Sequence, residues 1–306
     1  MIRLLLWRLA LIPVTVLGVV TVLFVIFKSV PGDEATMIAG ATATQTEIEV
    51  VRHQLGLDRP LLLQYSQRVL GLLYGDLGYS ATFRANPLPR ILERVPATLL
   101  LTTSAIAVTV LVGVPAGVVA ARFQHRLPDV TVSAAVIALL AVPNFWLGMM
   151  LITLFSVQLH WLPSLGLTGA ASLIMPTLAL AARLVALVGR LTRGVVIEEQ
   201  RKDYVRTAYA KGLSASRVMY RHVLRNALIP IVTVVGLEAG YLLGGSVVVE
   251  RLFAWPGIGD LLLTAVGLRD YTLVQGITVL FVIGFLLINL LVDLLYTWLD
   301  PRVRLG

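Results

Sequence analysis

The sequence predicts an all-α, polytopic membrane protein with about six transmembrane helices. Three observations carry this. Apolar residues make up 58% of the 306 positions and charged ones only 14%, against about 45–50% and about 25% in soluble domains. The apolar residues fall in charge-poor blocks, and a helix needs about 20 of them to cross the hydrocarbon core. Lys and Arg gather in the short loops at alternate ends of these blocks, as they do in cytoplasmic loops.

The first block, Leu9–Phe27, is uncharged and longer than the roughly 7–15-residue apolar core of a signal peptide, so it reads as a retained span. The second is Leu99–Ala121. The third lies within Val130–Leu159, which holds no charge. The fourth, about Ile174–Leu191, is interrupted by Arg183. The fifth, Asn226–Val249, is interrupted by Glu238. The sixth is Tyr271–Val292. Three regions follow: 1–30 with the N-terminus and first span, 31–95 outside the membrane, and 96–306 as a five-helix core. Within 31–95, Ile48, Val51 and Leu55 share a helical face, so Thr46–Leu55 is expected to form a short amphipathic helix. Gly56, Pro60, Gly75, Gly78, Pro87 and Pro89 punctuate the rest.

With the N-terminus placed in the cytoplasm, 15 of the 25 basic residues fall on that side, nine of them between Arg190 and Arg225. The basic residues opposite lie mostly in or beside the long 31–95 segment, which counts little for orientation. Both termini are therefore expected on the cytoplasmic side of a cell membrane. The net charge of +8 is accounted for by these loops, and nucleic acid is not expected as a partner. The absence of cysteine excludes disulfides and thiolate chemistry. His53, His125, His160 and His222 are scattered, never at metal-ligand spacing, so no metal is expected. No catalytic constellation stands out.

The most informative stretch runs from Asp203 to Arg217. It reads as a short helix, a break at Gly212 and a second helix entered through Ser214. Tyr204, Ala208 and Lys211 share one face, with Val205 and Tyr209 on a neighbouring one. The residues alone leave two readings open: a basic helix lying on anionic lipid, or a docking helix for a soluble partner.

Asp203–Gly212, followed by Arg221-His222-Val223-Leu224-Arg225-Asn226-Ala227-Leu228-Ile229-Pro230, resembles the signature loop of ABC importer permeases. The closest branch handles dipeptides, oligopeptides, glutathione and nickel. In that pattern Arg206-Thr207-Ala208 fills the place of a Glu-Ala-Ala triplet and Gly212 is its glycine. Arg206 departs from the general Glu, as is common in this branch, and the downstream proline is displaced to Pro230. Gly56-Leu57-Asp58-Arg59-Pro60, Gly75-Asp76-Leu77-Gly78, Pro143-Asn144-Phe145-Trp146, Trp255-Pro256-Gly257-Ile258-Gly259, Arg269-Asp270-Tyr271 and Asp300-Pro301-Arg302 match the same branch in order.

The resemblance implies the type I importer permease fold, with a coupling helix at about 203–216 that docks on an ATPase subunit through Asp203, Tyr204, Arg206, Thr207, Ala208, Lys211 and Gly212. It implies a second homologous permease, two ATP-binding subunits that bind ATP and Mg, and an extracytoplasmic substrate-binding protein. Trp255, Pro256, Gly257 and Gly259 become candidates for contact with that protein. No cofactor is expected on this chain, which lacks a Gly-x-x-x-x-Gly-Lys-Ser/Thr phosphate loop. A peptide is the expected solute, with glutathione or nickel as alternatives.

Two features of the spans add to this. Gly236, Gly240 and Gly244 recur at spacing four, as in close helix packing, either within the chain or at the pathway or subunit interface. Glu238 lies mid-span, where a charge costs at least ~2.5–3.5 kcal/mol and rarely faces lipid. Glu238 is expected either to pair with Arg183 or to line the pathway. Counted from the expected span ends, the two differ in depth by about 8 Å at 1.5 Å per residue.

Two other classes fit less well. An intramembrane enzyme would want paired catalytic groups at depth, and only one carboxylate and one guanidinium are there. A self-contained secondary transporter often shows repeated halves, and no repeat is evident.

Overall fold

The computed structural model describes the backbone of residues 2–29, 34–40 and 42–299. Pro31, Arg302, Arg304 and the Asp300-Pro301-Arg302 motif lie outside these. The described residues are helical with no strand; a lone antiparallel bridge joins Ser80 and Ala85.

In chain order, α1 is Ile2–Ser29, α2 Glu34–Ala39, α3 Gln45–Gln54 and α4 Leu61–Leu73. Next come α5 Leu88–Arg122, α6 Leu127–Ala141, α7 Asn144–Gln158 and α8 Ala170–Gln200. The chain ends with α9 Asp203–Ala210, α10 Ala215–Leu252, α11 Ile258–Gly267 and α12 Tyr271–Leu299. Five helices (α1, α5, α8, α10 and α12) are long and apolar enough to cross a membrane, and there are six spans if α6 and α7 count as one.

The third span differs from expectation. It is a helix pair bent by 103° between Ala141 and Asn144. Pro143 sits at the bend; it has no N–H to donate and pushes Val142 out of helical geometry (φ −88°, ψ 124°). The second span begins at Leu88 rather than Leu99. Asn86 accepts from the Leu88 amide at 3.0 Å, and Pro89 suits a first helical turn. The fifth reaches back to Ala215, well before Asn226. The expected amphipathic helix is α3, opened by a reciprocal Thr44–Glu47 capping box. Helix α4 was not anticipated; Pro60 occupies its N-cap.

The chain divides into two compact units. Among the described residues, the first comprises Thr98–Trp255 and residues 287–299. Its centre is α8, which packs on α5, α6, α7 and α10. Small buried residues on α8, including Ala179, Ala182, Ala186 and Gly189, let its neighbours approach. A Cβ at Gly117 of α5 would lie 2.5 Å from the Gly189 carbonyl oxygen, and one at Gly113 would lie 2.9 Å from that of Val185. This Gly-xxx-Gly crossing went unnoticed in the sequence.

The second unit comprises Ile2–Ala97 and Pro256–Leu286. Its core joins Leu77, Ile91, Ile258, Leu261, Ala265, Leu273 and Ile277. Asp270 opens α12, accepting from the Leu273 amide at 3.0 Å. It also accepts from the Ser80 hydroxyl at 2.6 Å and the Thr82 amide at 2.9 Å. The two motifs containing Gly75–Gly78 and Arg269–Tyr271 are thus parts of one folded corner. Gly75 (φ +72°) and Gly78 (φ +93°) supply its left-handed turns.

Candidate functional site

Helix α9 is short because Gly212 ends it. Gly212 adopts φ +75°; its amide reaches the Tyr209 carbonyl at 2.9 Å and the Leu213 amide that of Ala208 at 3.3 Å. This pair of bonds is a Schellman cap. Ser214 occupies the N-cap position of α10 as expected, but its side chain makes no capping bond.

The start of α9 is tied to the end of α8 by Glu199, which the sequence reading missed. Its carboxylate accepts from the Tyr204 hydroxyl at 2.6 Å and from Lys202 Nζ. Burial pushes the Tyr204 pKa up, the Glu199 carboxylate adds to the rise, and Asn226 opposes it.

Val205 and Ala208, one from each expected face, are the buried residues of α9. They face the first turns of α10, where Val218, Met219 and Val223 are buried. Asp203, Arg206, Thr207, Tyr209, Lys211 and Gly212 are exposed, and Tyr204 is half-buried. Of the docking residues expected from sequence, Ala208 therefore packs inward. The exposed row offers a guanidinium, an ammonium and a phenol to whatever meets it.

The mid-span charges come together. Arg183 Nη1 lies 3.4 Å from Glu238 Oε2, with side chains 58% and 20% exposed. The expected depth gap closes when depth is counted from the observed Ala170 end of α8 and Leu252 end of α10, which lie about 20 and about 21 Å from Arg183 and Glu238 at 1.5 Å per residue. Arg183 also lines a groove of about 400 Å³ with Asn144, Phe145, Gly245 and Val248.

The glycine stripe of α10 serves two surfaces. A Cβ at Gly236 would overlap Val292 of α12, Gly240 is buried, and Gly244 and Gly245 face open space. The stripe thus packs within the chain at one end and is unoccupied at the other.

At the other end of α10, Trp255 is fully buried and its amide bonds the Glu250 carbonyl at 2.8 Å. Gly257 and Gly259 are buried too, which leaves Pro256 as the partly exposed residue of the four candidates. Glu250, also missed in the sequence, is fully buried. It accepts from the hydroxyls of Thr98 at 2.8 Å and Ser246 at 3.1 Å.

Comparison with known proteins places this arrangement. Residues 113–305 match the family described as binding-protein-dependent transport system inner membrane component. Residues 1–102 match the N-terminal family of the same membrane component. The chain is 43% identical over 296 residues to the glutathione transport system permease protein GsiC of Escherichia coli strain K12, covering 97% of this chain and 96% of that one. It is 42% identical over the same coverage to GsiC of Shigella boydii serotype 4.

Among solved structures, the inward-facing MetNI methionine ABC transporter shares the fold, with a TM-score of 0.58 at 21% identity. The match covers 69% of this chain and 96% of that chain. An amino acid ABC transporter solved with histidines gives 0.54 at 18% identity over 68% and 93%. The chain belongs to the binding-protein-dependent transport system inner membrane components and is a multi-pass permease subunit of an ABC importer.

Proposed function

We propose that this permease forms half of the translocation pathway of an importer for short peptides, with glutathione among its solutes. The similarity to glutathione permeases over nearly the whole chain supports the solute class. In this reading a second homologous permease completes the pathway. Two ATP-binding subunits hydrolyse ATP with Mg, and an extracytoplasmic binding protein delivers the solute. Both termini lie in the cytoplasm.

The observation that carries the coupling role is the mounting of α9. Glu199 fixes its start, the Gly212 cap fixes its end, and Val205 and Ala208 hold it against α10. A helix held at both ends transmits a push on its exposed row to two spanning helices of the first unit, α8 and α10. Arg206, Tyr209 and Lys211 are the docking side chains, with Asp203, Tyr204, Thr207 and Gly212 shaping the surface around them.

The test is reconstitution of the permease pair, ATPase subunits and binding protein in vesicles, with uptake of glutathione and trialanine measured. Uptake is expected only with ATP and with every subunit present. The Arg206→Glu variant is expected to keep its place in the membrane while uptake falls by about tenfold or more, as loss of a charge-assisted contact implies. ATP-independent uptake by this chain alone would refute the proposal.

A further inference from the structure

We propose that Arg183 and Glu238 are solute-contacting residues at mid-membrane depth, engaging respectively the carboxylate and the ammonium of a short peptide. This rests on the peptide-importer reading above and names the residues that would read the solute's charges.

The first unit contains two Arg–carboxylate pairs on α8, and they are built differently. Arg193 meets Asp129 at two points, 2.6 and 2.8 Å, with Asp129 buried. That is the geometry of a strong, structural pair. Arg183 meets Glu238 at a single contact of 3.4 Å while its side chain is 58% exposed. One long contact leaves most of the five guanidinium donors and the second carboxylate oxygen available for a further partner.

Position sharpens the contrast. Arg183 is about 20 Å from the Ala170 end of α8 and Glu238 about 21 Å from the Leu252 end of α10, at 1.5 Å per residue. At such depth a half-exposed guanidinium does not face lipid; it faces water or protein. The surrounding surface is shaped for passage rather than for packing. Gly244 and Gly245 are open, Tyr241 and Val248 are exposed on the same side of α10, and the groove beside Arg183 runs past Asn144 and Phe145. The bend at Pro143 brings the start of α7 to this groove.

A free-ended peptide carries a terminal carboxylate and a terminal ammonium, and glutathione offers both groups along with a second carboxylate. A loose Arg–Glu pair can exchange its weak internal contact for two charge-assisted contacts to such a solute and reform behind it. A tight two-point pair would resist that exchange.

The experiment uses the reconstituted complex with trialanine and glutathione as probes. The chain has no cysteine, so Val248→Cys, in the groove beside Arg183, carries a unique thiol in the permease and leaves both charged residues in place. A charged thiol reagent is expected to label it, and trialanine, or S-methylglutathione in place of the free thiol that would consume the reagent, to slow the labelling. Leu111→Cys, on an exposed apolar position of α5, is expected to stay unlabelled.

In uptake, Arg183→Gln and Glu238→Gln are each expected to lose about tenfold. The reversal Arg183→Glu with Glu238→Arg is expected to restore the amount of complex in the membrane but not uptake. Recovery of near wild-type uptake in the reversal, or labelling unaffected by trialanine and S-methylglutathione alike, would show a structural pair and overturn the inference. A wild-type complex that moves neither probe would instead sink the peptide reading itself, and this inference with it.

Discussion

Arg193 Nε and Nη2 grip the two carboxylate oxygens of Asp129 at 2.6 and 2.8 Å, joining the centre of the first unit to the start of α6. Asp129 also accepts from the His125 amide at 2.9 Å and the Ser133 hydroxyl at 3.3 Å. Its charge is thus matched on several sides. Sixty-four residues separate the partners in the chain, and no local pattern in the sequence links them.

Removing one partner strands the other. Arg193→Ala is expected to destabilise the detergent-solubilised permease by about 3 kcal/mol, the usual cost of an orphaned buried charge. Arg183→Gln, in the loose pair, is expected to cost under about 1 kcal/mol. Thermal unfolding midpoints of the two variants measured side by side check this; equal losses would contradict it.

The α5–α8 crossing depends on bare backbone. Gly117→Ala places a Cβ 2.5 Å from the Gly189 carbonyl oxygen and close to Thr192, and is expected to cost ~1–3 kcal/mol by overpacking. Gly244→Ala meets nothing within 4 Å and is expected to leave stability unchanged. Yield of folded protein and its thermal midpoint distinguish the two.

Asp270 holds the corner of the second unit. In Asp270→Ala the Thr82 and Leu273 amides and the Ser80 hydroxyl lose their acceptor, at ~1–3 kcal/mol for each group left buried and unpaired. Hydrogen exchange at Thr82 and Leu273 is expected to quicken, while amides of α8 keep their wild-type rates.

Tyr204 gives the pH dependence of the α8–α9 junction. Its pKa in the folded chain is raised, chiefly by burial, so the fold favours the neutral phenol. The stabilisation is whole below the ordinary tyrosine value of 10.0 and is lost as pH rises through the higher folded value. Difference absorbance against Tyr204→Phe is expected to show this one phenol ionising later than exposed tyrosines. Titration at the ordinary value would mean that the phenol is not buried at this junction in solution.

Much of the site was legible because it is local. The Gly212 break, the short helix before it and the entry at Ser214 are set by residues a few positions apart, and so is the α3 capping box. The two neighbouring faces of α9 were legible, but not which of their residues are covered. Sequence spacing grouped Val205 with Tyr209 and Ala208 with Tyr204, whereas α10 covers Val205 and Ala208 together. Periodicity shows which residues can share a face, but the neighbouring helix selects which face is buried.

Trp255 shows the same limit from the other side. An aromatic beside Pro256 and Gly257 resembles a contact residue, yet the turn folds it inward and leaves Pro256 partly exposed.

The sequence by itself determined that this chain lives in a membrane, that it has about six spans, and that a basic break-and-helix element lies between the fourth and fifth. Solvation dictates these: apolar blocks must leave water, and short local signals cap or stop helices. Tertiary structure alone decided that Arg193 pairs tightly with Asp129 while Arg183 only touches Glu238. It also decided that Gly113 and Gly117, rather than the whole α10 stripe, form the close crossing with α8. Pairing and close approach depend on which helices meet and at what depth, and packing fixes both.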